Sequence, residues 1–132
     1  MAEKSAPYVQ VESNGSQQLG MIQVAPEVLE IVASIAASEI SGVASMRGNF
    51  ASGVAERLGK TVHGKGVKTE SMEDGLAVDI YCVVDYGVSI PQTALKIQEQ
   101  VRQTLENMTS LHTREVNVHI TGIRFDAQQT EQ

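Results

Sequence analysis

The sequence predicts an α+β domain, a two-layer sandwich in which two main helices lie on one face of a mixed β-sheet. The element order is β-α-β, a basic glycine-rich insert, then β-β-α-β. Three observations carry this. Residues 26–41 and 91–109 repeat apolar side chains at spacings of three and four, as a helix with one buried stripe does. Residues 76–86 alternate apolar and polar, as a strand with one wet face does. An Asp-Gly pair (Asp74-Gly75) between two strand patterns marks a hairpin. At 132 residues one domain is expected, since domains run to about 100–200 residues.

Residues 1–17 are polar and without period and read as a disordered tail, as do residues 127–132, which leaves 18–126 as the single domain. Leu19–Val24 is a short strand in which Leu19, Met21 and Gln23 alternate with Gly20, Ile22 and Val24. Pro26 opens the first helix, where its missing N–H is no loss. Glu27 and Glu30 lie in its first turn and complement the helix dipole. Val28, Ile31, Val32, Ile35, Ala36, Glu39 and Ile40 form its stripe, alanines offer a smooth packing surface, and Gly42 ends it. Val43–Met46 is a brief strand. Gly48–Gly66 holds five of the 11 glycines. Phe50, Val54 and Leu58 recur every four residues within it and predict a short helix over 50–58, followed by a loop over 59–66.

Val67–Met72 and Leu76–Tyr86 are the hairpin strands. In the second, Leu76, Val78, Ile80, Cys82, Val84 and Tyr86 share one face. Ala77, Asp79, Tyr81, Val83 and Asp85 share the other. Ser89 is the predicted N-cap of the second helix, over 91–109, whose stripe is Ala94, Ile97, Val101, Leu105 and Met108. The last strand, over 115–125, places Val116, Val118 and Ile120 on one face before the parity slips to Ile123 and Phe125. Gly122 sits at the slip and marks a bulge or bend. Each β-α-β unit is expected to cross over right-handed.

The net charge of −6 argues against general affinity for nucleic acid or anionic lipid. Its distribution is uneven. Residues 47–68 hold Arg47, Arg57, Lys60, Lys65 and Lys68 against Glu56 alone, a net of +4, and the rest of the chain carries −10. A lone cysteine excludes an internal disulfide and a four-thiolate zinc site, and is the usage of a reducing compartment. No apolar run approaches the ~20 residues of a membrane-spanning helix, and the N-terminus has no apolar signal core.

No catalytic constellation stands out. Cys82, the one possible thiol nucleophile, sits mid-strand on the core face, where a thiol is inert. His63, His112 and His119 lack the spacing of metal ligands. Gly59-Lys60-Thr61 and the stretch from Gly59 to Gly64-Lys65 echo a P-loop, but neither is complete. The segment also follows a helix and opens a strand, the reverse of what a P-loop requires. Asp79 and Asp85, six apart on a strand, lie about 20 Å apart at ~3.3 Å per residue, beyond the 5–9.5 Å or so of a glycosidase pair. Sequence-tolerant binding of single-stranded nucleic acid adds stacking aromatics to basic charge, and the basic insert holds only Phe50, whose spacing points to the core. Two surfaces remain. The basic insert (Arg57, Lys60, Lys65, Lys68) offers charge to an anion or a partner. The polar face of the last strand (Asn117, His119, Thr121) offers a contact surface.

The run MIQVAPEVLEIVASIAASEISGVASMRG, then GVAERLGKTVHGKGVKTE, DGLAVDIYCVVDYGVSIPQTALKIQEQVRQTLENMT and VNVHITGI, resembles the bacterial alkaline shock protein and general stress protein family of envelope stress response proteins. The likeness spans residues 19–125. It rests on a combination: Ala25-Pro26-Glu27-Val28, Gly42-Val43, Gly59, Lys65-Gly66-Val67, Tyr86-Gly87-Val88, Ile90-Pro91 and Val116-Asn117-Val118-His119. Met46-Arg47-Gly48-Asn49-Phe50 is most similar to the branch whose genes accompany those of acetyl-CoA carboxylase subunits. The resemblance implies a non-enzymatic cytoplasmic protein without a cofactor, metal or catalytic residues. Relatives self-associate, and some are held at the membrane by a separate integral membrane partner. The branch implies a link to control of fatty-acid synthesis.

The expectation is therefore a stress-response adaptor of the cell envelope. It would form homo-oligomers and meet a membrane-anchored protein or acetyl-CoA carboxylase subunits through Arg57, Lys60, Lys65, Lys68, Asn117 and His119. The alternative is a sensor binding a phosphate-bearing metabolite, such as an acyl-CoA, at residues 57–68. A third reading, an enzyme using Cys82 or His63, requires a thiol reactive at neutral pH.

Overall fold

The computed structural model describes residues 8–11, 19–46 and 66–125. Strands β1 (Val9–Val11) and β2 (Ile22–Val24) are followed by helix α1 (Pro26–Ser38) and strands β3 (Val43–Met46), β4 (Val67–Met72) and β5 (Gly75–Asp85). Helix α2 (Ile90–Thr109) and strand β6 (Thr113–Arg124) complete the order.

β5 organises the main sheet. Its apolar alternation needs a covered face, and its length of 11 residues lets three strands share it. β4 pairs antiparallel with Gly75–Ile80, and β3 pairs antiparallel with Cys82–Val84 on the same edge. β6 runs parallel along the other edge. α2 makes the crossover that a parallel pair demands. The sheet is thus mixed, with α1 and α2 on one face, as predicted. Leu76, Val78, Ile80, Cys82 and Val84 of β5 are buried beneath Leu29, Ala33, Ala36 and Ala37 of α1 and Ile97, Val101 and Leu105 of α2.

Local signals account for the element ends. Ser89 caps α2, its Oγ accepting the Gln92 N–H at 3.4 Å. Ser110, with φ 63°, closes that helix in the left-handed region and donates its N–H to the Glu106 carbonyl. The parity slip in β6 is a bulge: Ile120 stands opposite Cys82 and Gly122 opposite Val83, so Thr121 is the extra residue. Gly75 is not a turn residue. Met72 pairs with Gly75, which makes Glu73-Asp74 the turn. Gly75 has φ +141°, and a Cβ there would lie 2.9 Å from the His112 carbonyl oxygen, so bare backbone is required by close approach.

Three expectations are corrected. The first strand is shorter than Leu19–Val24, and it joins no β-α-β unit in the main sheet. It pairs antiparallel with β1, which forms within the stretch read as an unstructured tail. Val9 and Val24 pack on the core, whereas Leu19 and Met21 are exposed. A three-residue Val-Gln-Val alternation is too short to announce a strand without its partner. The buried stripe of α1 is also turned from the one read by hydropathy. Leu29, Ala33, Ala36 and Ala37 are buried, and Val28 and Ile35 are 44% and 54% exposed. Alanines let the helix axis approach the sheet closely, and that approach selects the alanine face over the valine and isoleucine face. Finally, Met108 is exposed at the end of the α2 stripe, and Thr93 and Thr109 are buried instead.

Candidate interaction surface

The face of the sheet turned away from the helices is built from alternate residues of three strands. β4 supplies Lys68, Glu70 and Met72. β5 supplies Ala77, Asp79, Tyr81, Val83 and Asp85. β6 supplies Glu115, Asn117 and His119. Register sets their neighbours. Lys68, Asp79 and Asn117 form one row across the strands, and Tyr81 and His119 form part of the next. The basic insert and the polar strand, read separately in the sequence, therefore meet at Asp79.

At the centre, His119 Nε2 lies 3.0 Å from Asp79 Oδ1. Its ring stacks on Tyr81 with centroids 4.4 Å apart and planes 13° from parallel. Asn117 donates to Glu115 Oε2 at 3.1 Å. Two arginine clusters flank this centre. Arg114 reaches Asp74 at 3.0 Å and Glu115 at 3.3 Å. Arg124 Nη2 lies 2.8 Å from Asp85 Oδ1, a charge contact outside hydrogen-bond geometry. Beside it Tyr86 and Phe125 meet at 5.5 Å and are both exposed. Exposed pairs of this kind contribute about 0–1 kcal/mol each, so they order the surface more than they hold the fold. The mixed signs give no single-charge field for a phosphate polymer.

Of the candidate residues, Lys68, Asn117 and His119 share this face. Arg57, Lys60 and Lys65 lie outside the described residues, as does His63. Thr121, at the bulge, donates its hydroxyl to the Cys82 carbonyl at 3.3 Å. Asp79 and Tyr81 are the additions: their parity is visible in the sequence, but the parallel register that sets them against His119 is not. Cys82 is fully buried, and desolvation pushes its thiol pKa up, away from the thiolate a nucleophile needs. His112 is exposed, with Nδ1 3.7 Å from Glu106. Among the described residues no group of three or more His, Cys, Asp or Glu side chains is placed to hold a metal ion.

Both edges of the sheet are touched by helix side chains. Gln98 of α2 donates to the Val116 carbonyl of edge strand β6 at 2.9 Å. Glu30 of α1 accepts the backbone N–H of Thr69 on β4. Desolvation raises the Glu30 pKa first and Glu27 raises it further, while the Thr69 N–H and Lys68 act to lower it. Such caps blunt edges that would otherwise recruit another strand.

A model of the alkaline shock protein 23 family, described as having a cell envelope-related function, matches residues 14–125. The chain belongs to this alkaline shock protein family. A relative from Bacillus subtilis (strain 168), the uncharacterized protein YqhY, is 59% identical over 113 residues, covering 86% of this chain and 84% of that one. Spy1535 from Streptococcus pyogenes serotype M6 is 33% identical over 82% of each chain. A stress response regulator gls24 homolog from Streptococcus pyogenes serotype M3 is 26% identical, and the match covers 83% of this chain and 62% of that one. The family match agrees with the resemblance read from the motifs, apart from the acetyl-CoA carboxylase branch, on which it is silent. Among solved structures, MamM CTD aligns at 16% identity with a TM-score of 0.44, covering 73% of this chain and 93% of that one. No helix among the described residues is long and apolar enough to cross a membrane.

Proposed function

We propose that this alkaline shock family chain is a non-enzymatic adaptor in the cell-envelope stress response, acting by self-association and by docking protein partners on the open sheet face. The observation that carries the reading is the row Lys68–Asp79–Asn117, on the sheet face turned away from both helices, with the stacked Tyr81 and His119 beside it. It is a rigid platform of mixed charge, held by β-sheet hydrogen bonds rather than on a loop. Such a surface suits recognition of a complementary polar protein face more than the enclosure of a substrate, which calls for a concave, mostly apolar pocket. Family membership supports the cell-envelope setting, and the gls24-type relatives support the stress role. Within this reading the basic segment with Arg57, Lys60 and Lys65 is a second docking element. The partners are a membrane-anchored protein, which would hold the chain at the cytoplasmic side of the membrane, or acetyl-CoA carboxylase subunits, which would link it to fatty-acid synthesis.

Size-exclusion chromatography with light scattering, run from low to high salt, tests the self-association. Oligomers at micromolar concentration that weaken with salt and with the double change Lys68→Glu and His119→Ala are expected. A strict monomer at low salt would remove self-association from the proposal.

A further inference from the structure

The outer edge of β6 is a long run of backbone with no strand beside it among the described residues. β6 pairs through its inner edge, parallel to β5. Its bonds show which residues turn outward. The Thr113 N–H and the Val116 carbonyl meet side chains of α2, so both point away from β5. The Arg124 carbonyl accepts the Tyr86 N–H, so it points towards β5. Successive residues of a strand turn their backbone groups to opposite edges, and Thr121 is the bulged residue. Val116, Val118, Ile120 and Ile123 therefore carry the outward N–H and C=O groups, with their side chains on the helix side of the sheet. Gln98 caps the Val116 carbonyl. Beyond it, no described group bonds this edge.

Exposed edges are usually blunted by Lys, Pro or an inward charge. The outward row here is wholly apolar, and its last member, Ile123, is 41% exposed. Leu95, three residues before Gln98 and so on the same flank of α2, is 52% exposed. The row is also complementary to itself in the antiparallel sense. With a two-fold axis at His119, Val116 stands opposite Ile123 of the second copy and Val118 opposite its Ile120. Outward backbone then meets outward backbone, and each of these pairs exchanges both N–H···O bonds. On the open face Glu115 meets Arg124 of the second copy, Asn117 meets Gly122, and His119 meets its own equivalent. Thr121 is passed over in each strand, as it is against β5. The bulge makes this register possible. Without the extra residue, Glu115 and Arg124 would have opposite parity and would not share a face.

We infer that two copies of this chain join antiparallel along the outer edge of β6, about a two-fold axis at His119, into one continuous sheet. The contact is isologous, with the same patch used on both copies. This pairing rests on the self-association proposed above and gives it an interface, and it leaves the open sheet face of each copy to other partners.

A cysteine at the axis tests it. In the full-length chain, His119→Cys places two thiols in a pair whose Cα atoms lie about 4.5 Å apart, within the roughly 4.4–6.8 Å that a disulfide spans. Asn117→Cys is the control, since its copies lie about 13 Å apart at ~3.3 Å per residue. Cys82 is fully buried and stays out of the reaction. On mild oxidation the His119→Cys chain should give a disulfide-linked dimer about tenfold or more faster than the control. Charge exchange gives a second reading. Glu115→Arg or Arg124→Glu alone should raise the dimer Kd about tenfold, and the two together should restore it to within about threefold. Equal cross-linking rates at the two positions, or a double variant no tighter than the singles, would overturn the pairing. Light scattering of the reduced parent chain separates the two readings. Oligomers together with equal cross-linking rates would remove the β6 edge and leave self-association standing, whereas a strict monomer would remove both.

Discussion

The two faces of β5 differ in what decides their residues. On the helix side, Leu76, Val78, Ile80, Cys82 and Val84 are buried without a polar group among them. On the open side, Asp79, Tyr81 and Val83 are half-buried, and the neighbours of Asp79 and Tyr81 across the sheet, Lys68, Asn117 and His119, are charged or polar. One strand thus spends alternate residues on stability and on surface chemistry. The clearest break of this comparison is a pair of single substitutions. Ile80→Ala empties a site with no exposure, and should cost about 2–5 kcal/mol in urea unfolding, the transfer loss plus the cavity left behind. His119→Ala, on the open side, removes an exposed contact with Asp79 and a stacking partner of Tyr81, and should cost under about 1 kcal/mol. Equal costs would mean that the open face is structural rather than a surface free to serve a partner.

Much of this contrast was legible in the residues. The alternation in β5, the hairpin, the Ser89 cap, the span of β3 and the bulge near Gly122 all follow from local rules, because each depends on backbone geometry a few residues long. The α1 face was not legible for a physical reason: a helix reading Val-Leu-Glu-Ile-Val-Ala-Ser-Ile-Ala-Ala is apolar nearly all round, and hydropathy does not choose among its stripes. Close packing chooses, and it prefers alanine. The candidate surface was half legible. Asn117 and His119 are visibly on the wet side of their strand, and Lys68 is visibly basic. That Asn117 and His119 join Lys68 around Asp79 depends on the parallel pairing of β6 with β5 and its register, which a single strand's pattern does not contain.

The hairpin sharpens the comparison at the point where β5 begins. A Cβ on Gly75 would lie 2.9 Å from the His112 carbonyl oxygen and 3.1 Å from Arg114 Cβ. That carbonyl also accepts the Leu76 N–H at 2.8 Å, so it does not yield as a side chain would. Gly75→Ala should cost about 1–3 kcal/mol by overpacking, with added strain from its left-handed φ. If Gly75 served only the turn, Asp74→Gly with Gly75→Ala would recover the loss. Urea unfolding of the double variant is expected to show no recovery.

The smallest effect lies on the helix flank, at Glu30. Burial disfavours its charged form and Glu27 adds to this, so the folded-state pKa stands above the ordinary carboxylate value. The sign follows from proton binding. Between the unfolded and folded pKa the native chain holds more protons than the unfolded one, so stability falls as pH rises through that window and stays lowered above it. Glu30→Gln keeps an oxygen to accept the Thr69 N–H and removes the titration. The variant should be more stable than the parent at neutral pH. The advantage should fade as pH drops below the carboxylate range, where Glu30 is neutral in both states. Thermal unfolding of both proteins from acid to neutral pH measures the difference. A variant less stable than the parent at neutral pH would mean that the charged carboxylate, through Thr69 and Lys68, outweighs the desolvation. The β4 edge would then be held by an ionic cap, in contrast to the neutral Gln98 cap on β6.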